Sequence, residues 1–243
     1  SLSKLGERHG NGCYAPRDMT TPADTSFDSS CTLCPRLVEF LADGKRQYPH
    51  YHCAPVAPFG DPEARLLIVG LAPGFHGANA TGRPFTGDYA GILLYESLYA
   101  FGLSTAPQSV AADDNLRLIR CRISNSVKCV PPGNKPLPVE IATCNRYLAH
   151  ELASVKEGTV LLALGAIAHG AVLRALGLKQ SAFAFTHGAE HALPRNLTMV
   201  DSYHCSRYNT NTRRLTTEMF HTVVSRAAPL ARGLSDYPPT PIP

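Results

Sequence analysis

The residues with the clearest chemical potential in this sequence are four of its eight cysteines. Cys31 and Cys34 form a C-x2-C pair at the start of a predicted helix, and Cys129 and Cys144 form a second pair across a proline-rich loop. Because thiolates in such pairs can converge on one centre, four of them suit either zinc or a 4Fe-4S cluster. The spacing does not choose between these two, and ordinary buried or free thiols are the alternative to both.

A loop around one histidine indicates a different kind of chemistry. In the segment SYHCSRYNT, small polar residues surround His204 directly after a predicted strand, and Arg213 and Arg214 follow. Such a loop can hold an imidazole against a substrate oxygen while hydroxyl and guanidinium groups bind phosphates. An ordinary polar turn is the alternative.

Two other motifs are less specific. The segment from Gly70 to Gly74 is neither a Walker loop nor a G-x-G-x-x-G motif, although its glycines would let backbone N–H groups approach a ligand. HGAEH at 187–191 has the H-x-x-E-H spacing of a helical zinc site, but Gly188 and Pro194 favour a turn. No P-C-x-x-C follows, as it would in a zinc deaminase. We therefore expect a turn here rather than a catalytic or metal site.

These loops need elements to hold them, and the hydrophobic pattern predicts alternating strands and helices. Short apolar runs predict strands at 65–70, 121–127, 159–164 and 198–203. Helical periodicity predicts helices at 35–48, 89–101, 138–155, 166–176 and 216–228. Such alternation indicates the α/β class, with a mainly parallel sheet covered on both faces and functional groups at the carboxyl ends of the strands.

Length and composition fit one domain between two weakly structured ends. The 243 residues, 44% of them hydrophobic, can bury one sizeable core, which we assign to residues 31–232. Residues 1–30 are polar and broken by prolines, which predicts a weakly ordered arm, and residues 233–243 form a proline-rich tail. The net charge of +4 suits an anionic partner without requiring one.

The same composition bears on where the protein works. No run approaches the roughly 20 apolar residues of a membrane span, and the first residues lack the apolar core of a signal peptide. We therefore expect a soluble, cytoplasmic protein. In a reducing compartment, eight cysteines are explained more readily by metal ligation or free thiols than by disulfides.

Taken together, these motifs resemble the family 5 uracil-DNA glycosylases, often called UDGb, of the uracil-DNA glycosylase superfamily. The likeness extends from about Cys31 to about Ala228. The segments that carry it are the early C-x2-C pair, GLAPGFHGANATGRPFTGD, VKCVPPGNKP, ATCNRYLAHEL and YHCSRYNTNTRRLT. The resemblance implies a three-layer α/β/α fold with a central, mainly parallel sheet. It also implies a structural 4Fe-4S cluster, with the ligands Cys31, Cys34, Cys129 and Cys144.

The activity that this resemblance implies is DNA repair. Such an enzyme hydrolyses the N-glycosidic bond of uracil in DNA after flipping the base out of the duplex, and leaves an abasic site. Leu71, Ala72 and Pro73 stand where other superfamily members carry a polar, water-activating residue. The implied range of bases is therefore broader, and includes other deaminated bases such as hypoxanthine. We expect a monomer that binds DNA and is associated with the nucleoid.

The catalytic roles that the resemblance implies fall on Asp88 and His204. Asp88 closes the first matching loop and would position the attacking water, although it could also cap the following helix. His204 would donate a hydrogen bond to the uracil O2, helped by backbone N–H groups around Gly74. One departure concerns this histidine, because relatives usually read His-Pro-Ser and Cys205 replaces the proline here. We expect this replacement to loosen the turn.

Other matching positions would contact the base or the DNA. Phe85 matches an aromatic residue that stacks on the flipped base, and Asn134 matches a pocket asparagine. A core phenylalanine and a plain turn are the respective alternatives. We also assign Asn209 to the substrate. The residues assigned to the DNA are Ser206, Arg213 and Arg214.

Two other functions remain open from the residues alone. One is a non-catalytic nucleic-acid-binding module with a structural zinc or iron-sulfur site, although the modest net charge of +4 counts slightly against it. The other is a hydrolase of free nucleosides or nucleotides with the same fold class. Comparing cleavage of uracil in DNA with cleavage of free deoxyuridine separates all three.

Overall fold

The protein is built around a six-stranded sheet, seen in a computed structural model that describes residues 26–232. The strands are β1 Phe59–Gly60, β2 Leu66–Gly70, β3 Cys121–Asn125, β4 Val160–Leu164, β5 Glu190–Leu193 and β6 Leu197–Ser202. Their order across the sheet is β1-β3-β2-β4-β6-β5. The four inner strands are parallel, and β1 and β5 pair antiparallel at the two edges. The expected mainly parallel sheet is confirmed.

Helices cover both faces of this sheet. They are α1 Pro35–Gln47, α2 Ala78–Thr81, α3 Tyr89–Ala100, α4 Pro138–Ser154, α5 Ala166–Ala175, α6 Arg207–Asn211 and α7 Thr217–Arg232. Apolar side chains of α3 and α7 pack on one face, and those of α4 and α5 pack on the other. The helix α1 belongs to a third, smaller apolar cluster that includes Cys129 and Cys144. The three-layer α/β/α fold is thereby confirmed.

The central strands β2 and β4 are apolar on both sides. All five residues of each strand are buried, as expected where helices cover both faces of parallel strands. Alternate side chains enter opposite layers, with Ile68 on the α3 and α7 side and Val69 on the α4 and α5 side. From β2 the chain moves outward to β3, whereas β4 leads to β6 on the other side. Ligands of α/β proteins bind in the crevice at the carboxyl ends of strands that diverge in this way.

The four predicted strands and five predicted helices all form, with ends that shift by at most four residues. The edge strands β1 and β5 and the short helices α2 and α6 were not predicted. At HGAEH the expected turn occupies Gly188, in a left-handed conformation, and β5 begins at Glu190. Within residues 26–232, no helix is both long and apolar enough to cross a membrane.

The ends of the chain are described only in part. Of the arm predicted for residues 1–30, residues 1–25 lie outside the described residues, and so does the whole tail predicted for 233–243. Residues 26–30 contact the domain, because the ring of Phe27 packs edge-on against that of Tyr147, with centroids 6.3 Å apart. The side chain of Asp28 also accepts hydrogen bonds from the backbone and hydroxyl of Ser30.

Candidate active site

The side chains of Phe85 and Asn125 both lie close to Gly70, at the carboxyl ends of β2 and β3. A Cβ on Gly70 would lie 2.7 Å from the Phe85 ring and 2.5 Å from Oδ1 of Asn125, so only glycine leaves room for both. Phe85 is buried, and its backbone takes the left-handed conformation. Asn125 is also buried, and its Oδ1 has no hydrogen-bond partner among the described residues. Leaving such an acceptor buried and unpaired costs about 1–3 kcal/mol of folding free energy. We therefore expect this oxygen to accept a hydrogen bond from a bound ligand.

Asp88 lies where the loop after β2 meets α3. Its Oδ1 accepts the backbone N–H of Gly91 at 2.9 Å and so caps the helix. Its Oδ2 lies 3.2 Å from the position that a Cβ on Gly74 would take, and it is closer still to that of Gly77. Burial raises the pKa of Asp88, while backbone hydrogen bonds from Gly91 and Ala90 lower it by less. Capping and a role in the site are compatible, because they use different oxygens.

His204 reaches the same region from the carboxyl end of β6. Its ring stacks on that of Phe85, with centroids 5.8 Å apart and an angle of 29° between the planes. Burial lowers the pKa of His204 to about 4, because the imidazolium form loses its hydration. The ring is therefore neutral near pH 7 and keeps one N–H donor. Asn209 fixes the backbone of this residue, since its Nδ2 donates to the His204 carbonyl at 2.8 Å.

The residue after His204 is Cys205, and its side chain packs in the core where relatives usually have a proline. The side chain of Cys205 is fully buried in the apolar cluster under α3 and α7. Burial raises the pKa of its thiol, and the nearby charge of Asp88 raises it further. Ser206 caps α6 by accepting the N–H of Asn209 at 3.4 Å. The expected loosening of this turn stays a prediction. Ser206 and Asn209 shape the loop, and their contacts with DNA or base stay predictions.

Exposed arginines surround this loop. Arg213 is exposed and has a left-handed backbone at the end of α6. The guanidinium of Arg214 lies 4.7 Å from the ring centroid of Tyr203. Arg207, which was not predicted, lies 5.0 Å from that of Tyr89. Stacking on an aromatic face orients a guanidinium while leaving its N–H groups available. The phosphate contacts assigned to Arg213 and Arg214 stay predictions.

Asn134 does not join the side chains described above. It is exposed, with a left-handed backbone, at the end of a 3-10 turn spanning Pro132–Asn134. Its assignment to the base stays a prediction, whereas Asn125 is the asparagine found beside Phe85. Tyr208 was also missed, although its side chain is 72% exposed on α6. Two features of the sequence could have indicated these residues. Asn125 is a polar residue within a predicted strand, and Tyr208 is a large aromatic residue in a polar loop.

The four predicted ligand cysteines meet in one cavity. It is lined by Cys31, Cys34, Cys129 and Cys144 together with apolar side chains such as Leu37, Val127 and Tyr147. Burial and the neighbouring thiols raise the pKa of Cys129 to about 12, and burial raises that of Cys144 to about 11. The backbone N–H of Lys128 donates to the sulfur of Cys144 at 3.2 Å. Four thiolates in this cavity therefore need a positively charged centre, as a metal group supplies.

The cysteine sulfurs are spread more widely than one zinc ion requires. Among the described residues, three metal-ligating atoms lie within 4.8 Å of one another only in the group His169, His191 and Asp201. No three of the cysteine sulfurs are therefore that close together. A single zinc ion with Zn–S bonds of about 2.3 Å needs its sulfurs about 3.8 Å apart. A 4Fe-4S cluster is larger and binds each thiolate at a separate iron, so the donor set fits the cluster better.

Two charge pairs hold the segments that carry these cysteines. Arg36 on α1 makes a bidentate pair with the buried Glu140 on α4, at 2.8 and 2.7 Å, between the C-x2-C pair and the helix of Cys144. Next to Cys129 in the chain, the buried ammonium of Lys128 donates to Glu151 at 2.5 Å. Both pairs link residues far apart in sequence, so they position the cavity walls independently of any ligand.

Comparisons with known proteins agree on one family. The family model of the uracil DNA glycosylase superfamily matches residues 57–228. The chain is 49% identical to the type-5 uracil-DNA glycosylase of Thermus thermophilus, over 84% of this chain and 94% of that protein. It is 42% identical to the type-5 uracil-DNA glycosylase of Pyrobaculum aerophilum, over 82% and 88%. A type-4 uracil-DNA glycosylase of Archaeoglobus fulgidus is 29% identical, over 60% and 67%.

Proposed function

The chain belongs to the uracil-DNA glycosylase superfamily, among its type-5 members, and we propose that it removes uracil from DNA by hydrolysing the bond between base and deoxyribose. The observation that carries this proposal is the meeting of four side chains at one end of the sheet, Phe85, Asp88, Asn125 and His204. They offer an aromatic ring, a carboxylate, an unpaired amide acceptor and a neutral imidazole. Such groups can stack on a base, position a water, bind the edge of the base and stabilise the leaving anion.

Phe85 and Asn125 bind the flipped base in this proposal. A planar base stacked on an aromatic ring gains about 1–3 kcal/mol. The free Oδ1 of Asn125 accepts the N3–H of uracil, and the amide N–H donates to O4. Cytosine has no N3–H and carries an amino group at C4, so the same amide leaves it unpaired. A site that depends on a buried hydrogen bond rejects such an analogue strongly.

His204 and Asp88 divide the chemistry between the two products of bond cleavage. The base leaves as an anion, while the sugar gains oxocarbenium character. A neutral His204 donates its N–H to the O2 of uracil, where negative charge develops, and backbone N–H groups near Gly74 add to this. The Oδ2 of Asp88 positions the water that attacks C1′ and offsets the positive charge on the sugar.

The exposed residues around α6 suit a duplex from which one nucleotide has been flipped. Flipping costs a few kcal/mol, and least for a mispaired base. Tyr208 is 72% exposed next to the loop of His204 and can enter the gap that the base leaves. Arg207, Arg213 and Arg214 lie on the same loop and can bind phosphates on either side. The partner we propose is therefore double-stranded DNA that contains uracil.

The proposed range of bases follows from the hydrogen bonds that the Asn125 amide would make with the edge of the base. Hypoxanthine presents an N1–H beside O6, which repeats the N3–H and O4 pattern of uracil, so the same amide can bind it. The residues at 71–73 offer no polar side chain that would restrict the pocket further, and Ala72 packs into the cluster around the cysteines. We therefore include hypoxanthine among the proposed substrates.

Cys31, Cys34, Cys129 and Cys144 would hold a 4Fe-4S cluster, supported by their shared cavity and by the wide spacing of their sulfurs. When bound, the cluster would supply the positive charge that keeps the four thiolates ionised, and it would join the segment before α1 to the loop after β3 and to α4. Lys128 and the Arg36 pair with Glu140 position the walls of this cavity. The proposed role of the cluster is structural.

A single-turnover assay on a duplex with one U·G pair tests the catalytic assignment. We expect Asp88→Ala and His204→Ala each to slow base release by about 10²–10⁴-fold. The matched controls are Asp113→Ala and His50→Ala, which alter exposed residues and should keep the wild-type rate. Near wild-type rates for both active-site variants would show that the assignment is wrong.

The same assay separates the other functions. Free deoxyuridine as a substrate should give no uracil, because binding to DNA supplies the energy for positioning the base. Tight DNA binding without any base release would instead favour a non-catalytic module. A panel of duplexes with uracil, hypoxanthine, cytosine and adenine measures the range of bases, and we expect release of the first two.

Iron analysis with visible absorbance tests the cofactor. Anaerobically purified protein should be brown and contain about four iron atoms per chain, as a 4Fe-4S cluster requires. Cys129→Ala should lose the absorbance, whereas Cys121→Ala, at a fully buried cysteine outside the cavity, should keep it. A colourless protein with one sulfur-bound zinc ion would contradict the cluster.

A further inference from the structure

Two histidines and an aspartate from three separate elements meet beside the edge strand β5. Nδ1 of His169, on α5, lies 2.8 Å from Oδ1 of Asp201, on β6. Nε2 of His191, on β5, lies 2.9 Å from the other oxygen of the same carboxylate. All three ligand atoms lie within 4.8 Å of one another. This group shares no residue with the proposed active site or with the cysteine cavity.

One contact fixes which nitrogen of His169 carries a proton. Its Nε2 lies 3.0 Å from the backbone carbonyl of Phe183. A carbonyl oxygen can only accept, so Nε2 must be the N–H donor. In the neutral ring Nδ1 then carries a lone pair, and this lone pair points at a carboxylate oxygen of Asp201, which also carries only lone pairs. Two such atoms 2.8 Å apart are joined either by a second proton on the ring, which makes it an imidazolium, or by a metal ion that takes the place of that proton.

The surroundings of this group resemble those of a metal site. Histidines that bind metals almost always donate their other N–H to a carbonyl or carboxylate, as His169 does to Phe183. The Asp201 side chain is fully buried, and that of His169 is 5% exposed. The rings of Phe185 and Phe183 pack edge-on against His169 and His191, respectively. A carboxylate in such apolar surroundings is stabilised far more by a dication than by water.

We propose that His169, His191 and Asp201 bind a divalent transition metal, with zinc as the best match. Two imidazole nitrogens and one carboxylate oxygen are a donor set that zinc favours. The bond lengths of about 2.0–2.2 Å require the donor atoms to separate to about 3.3 Å, which is a small adjustment of the imidazole rings. His191 is 12% exposed at the sheet edge, so the ion can enter there and keep a water ligand.

Such an ion would add a bond to three elements that are already linked by packing, by strand pairing and by the contacts of His169 and His191 with Asp201. The ligand His191 lies on the antiparallel edge strand, where only Leu193 is buried. Asp201 precedes His204 by three residues on the segment that leads to the loop of the proposed active site. The bound metal would therefore hold β5 and α5 against β6, and its proposed role is structural.

The test measures zinc in the iron-loaded protein by element-specific methods, so that iron does not interfere. The protein is dialysed against zinc, and zinc is then counted per chain and examined by zinc K-edge X-ray absorption. We expect one zinc ion with nitrogen and oxygen neighbours at about 2.0–2.1 Å and no sulfur at about 2.3 Å. Zinc should also raise the melting temperature, because it binds only the folded state.

Variants assign the ion to these residues. His191→Ala should weaken zinc binding by more than about a hundredfold, because losing even a supporting residue of a metal site costs 10–100-fold. His50→Ala, at an exposed histidine elsewhere, should bind zinc as the wild type does. Three outcomes overturn the proposal: no zinc in the wild type, zinc bound by sulfur only, or equal binding by wild type and His191→Ala. The spectrum of the wild type decides the matter even if His191→Ala does not fold.

Discussion

The protonation of His204 should have a measurable effect on stability. Its pKa in the folded protein is lowered from 6.5 to about 4 by burial. Between those two pH values the unfolded chain binds more protons than the folded protein. The stability that depends on the neutral ring is therefore complete above about pH 6.5 and is lost as the pH falls toward about 4. Replacing His204 by asparagine removes this titration and keeps a side-chain N–H donor.

The magnitude follows from the two pKa values. Lowering the pH from 7 to 5 should cost the wild type about 2 kcal/mol of unfolding free energy through this one residue. In a domain of this size, 1 kcal/mol corresponds to about 2–4 °C in melting temperature. The wild type should therefore lose about 4–8 °C more than His204→Asn over this pH range. Other titrating groups, including Asp88, are present in both proteins and cancel in the comparison.

The assay is thermal unfolding at pH 5, 6 and 7 at one scan rate, with equal iron content in every sample. His50→Asn serves as the control, because that exposed histidine should leave the pH dependence of the wild type unchanged. Equal losses of melting temperature in wild type and His204→Asn would refute the reasoning. Desolvation would then not hold the ring neutral, and its proposed role as an N–H donor to the leaving base would lose its basis.

Three further changes probe the pocket and the cavity wall. Gly70→Ala should push Phe85 out of place and slow uracil release by about a hundredfold, and an unchanged single-turnover rate would contradict this. Asn125→Leu removes an unpaired buried acceptor, so it should raise stability by about 1 kcal/mol in thermal unfolding while abolishing base release; retained activity would disprove the assignment. Lys128→Met removes the cation that neutralises Glu151 and leaves only the Ser124 hydroxyl as its donor, so it should cost about 3–5 kcal/mol in urea unfolding. Adding Glu151→Leu should restore most of that loss, and no restoration would contradict the pairing.

The fold could be predicted where burial leaves a mark on the sequence. The strands β2 and β4 are buried on both sides and therefore read as uninterrupted apolar runs. Pro35 and Pro138 mark the first residues of α1 and α4. The edge strands leave no such mark. β1 has only two residues, and β5 has a single buried side chain, so neither shows a periodic pattern.

The site could be predicted only as far as residue type and chain position allow. Asp88 and His204 follow strands and lie at the predicted end of the sheet. Asn125 was missed, because its importance lies in an unpaired oxygen, and pairing depends on neighbours far away in sequence. The same holds for His169 and Asp201, which are 32 positions apart and share no motif. The separation of the cysteine sulfurs is likewise a property of the folded chain alone.

The four cysteines of the cavity lie on segments far apart in the sequence, so the ribosome synthesises them at different times. Cys34 leaves the ribosome 95 positions ahead of Cys129. At about 5–20 residues per second, the first pair of thiols waits roughly 5–20 s for its partners. During that interval Cys31 and Cys34 are a chelating pair without a cavity, open to oxidation or to a stray metal ion. Assembly of the proposed cluster must therefore follow translation of α4, which carries Cys144.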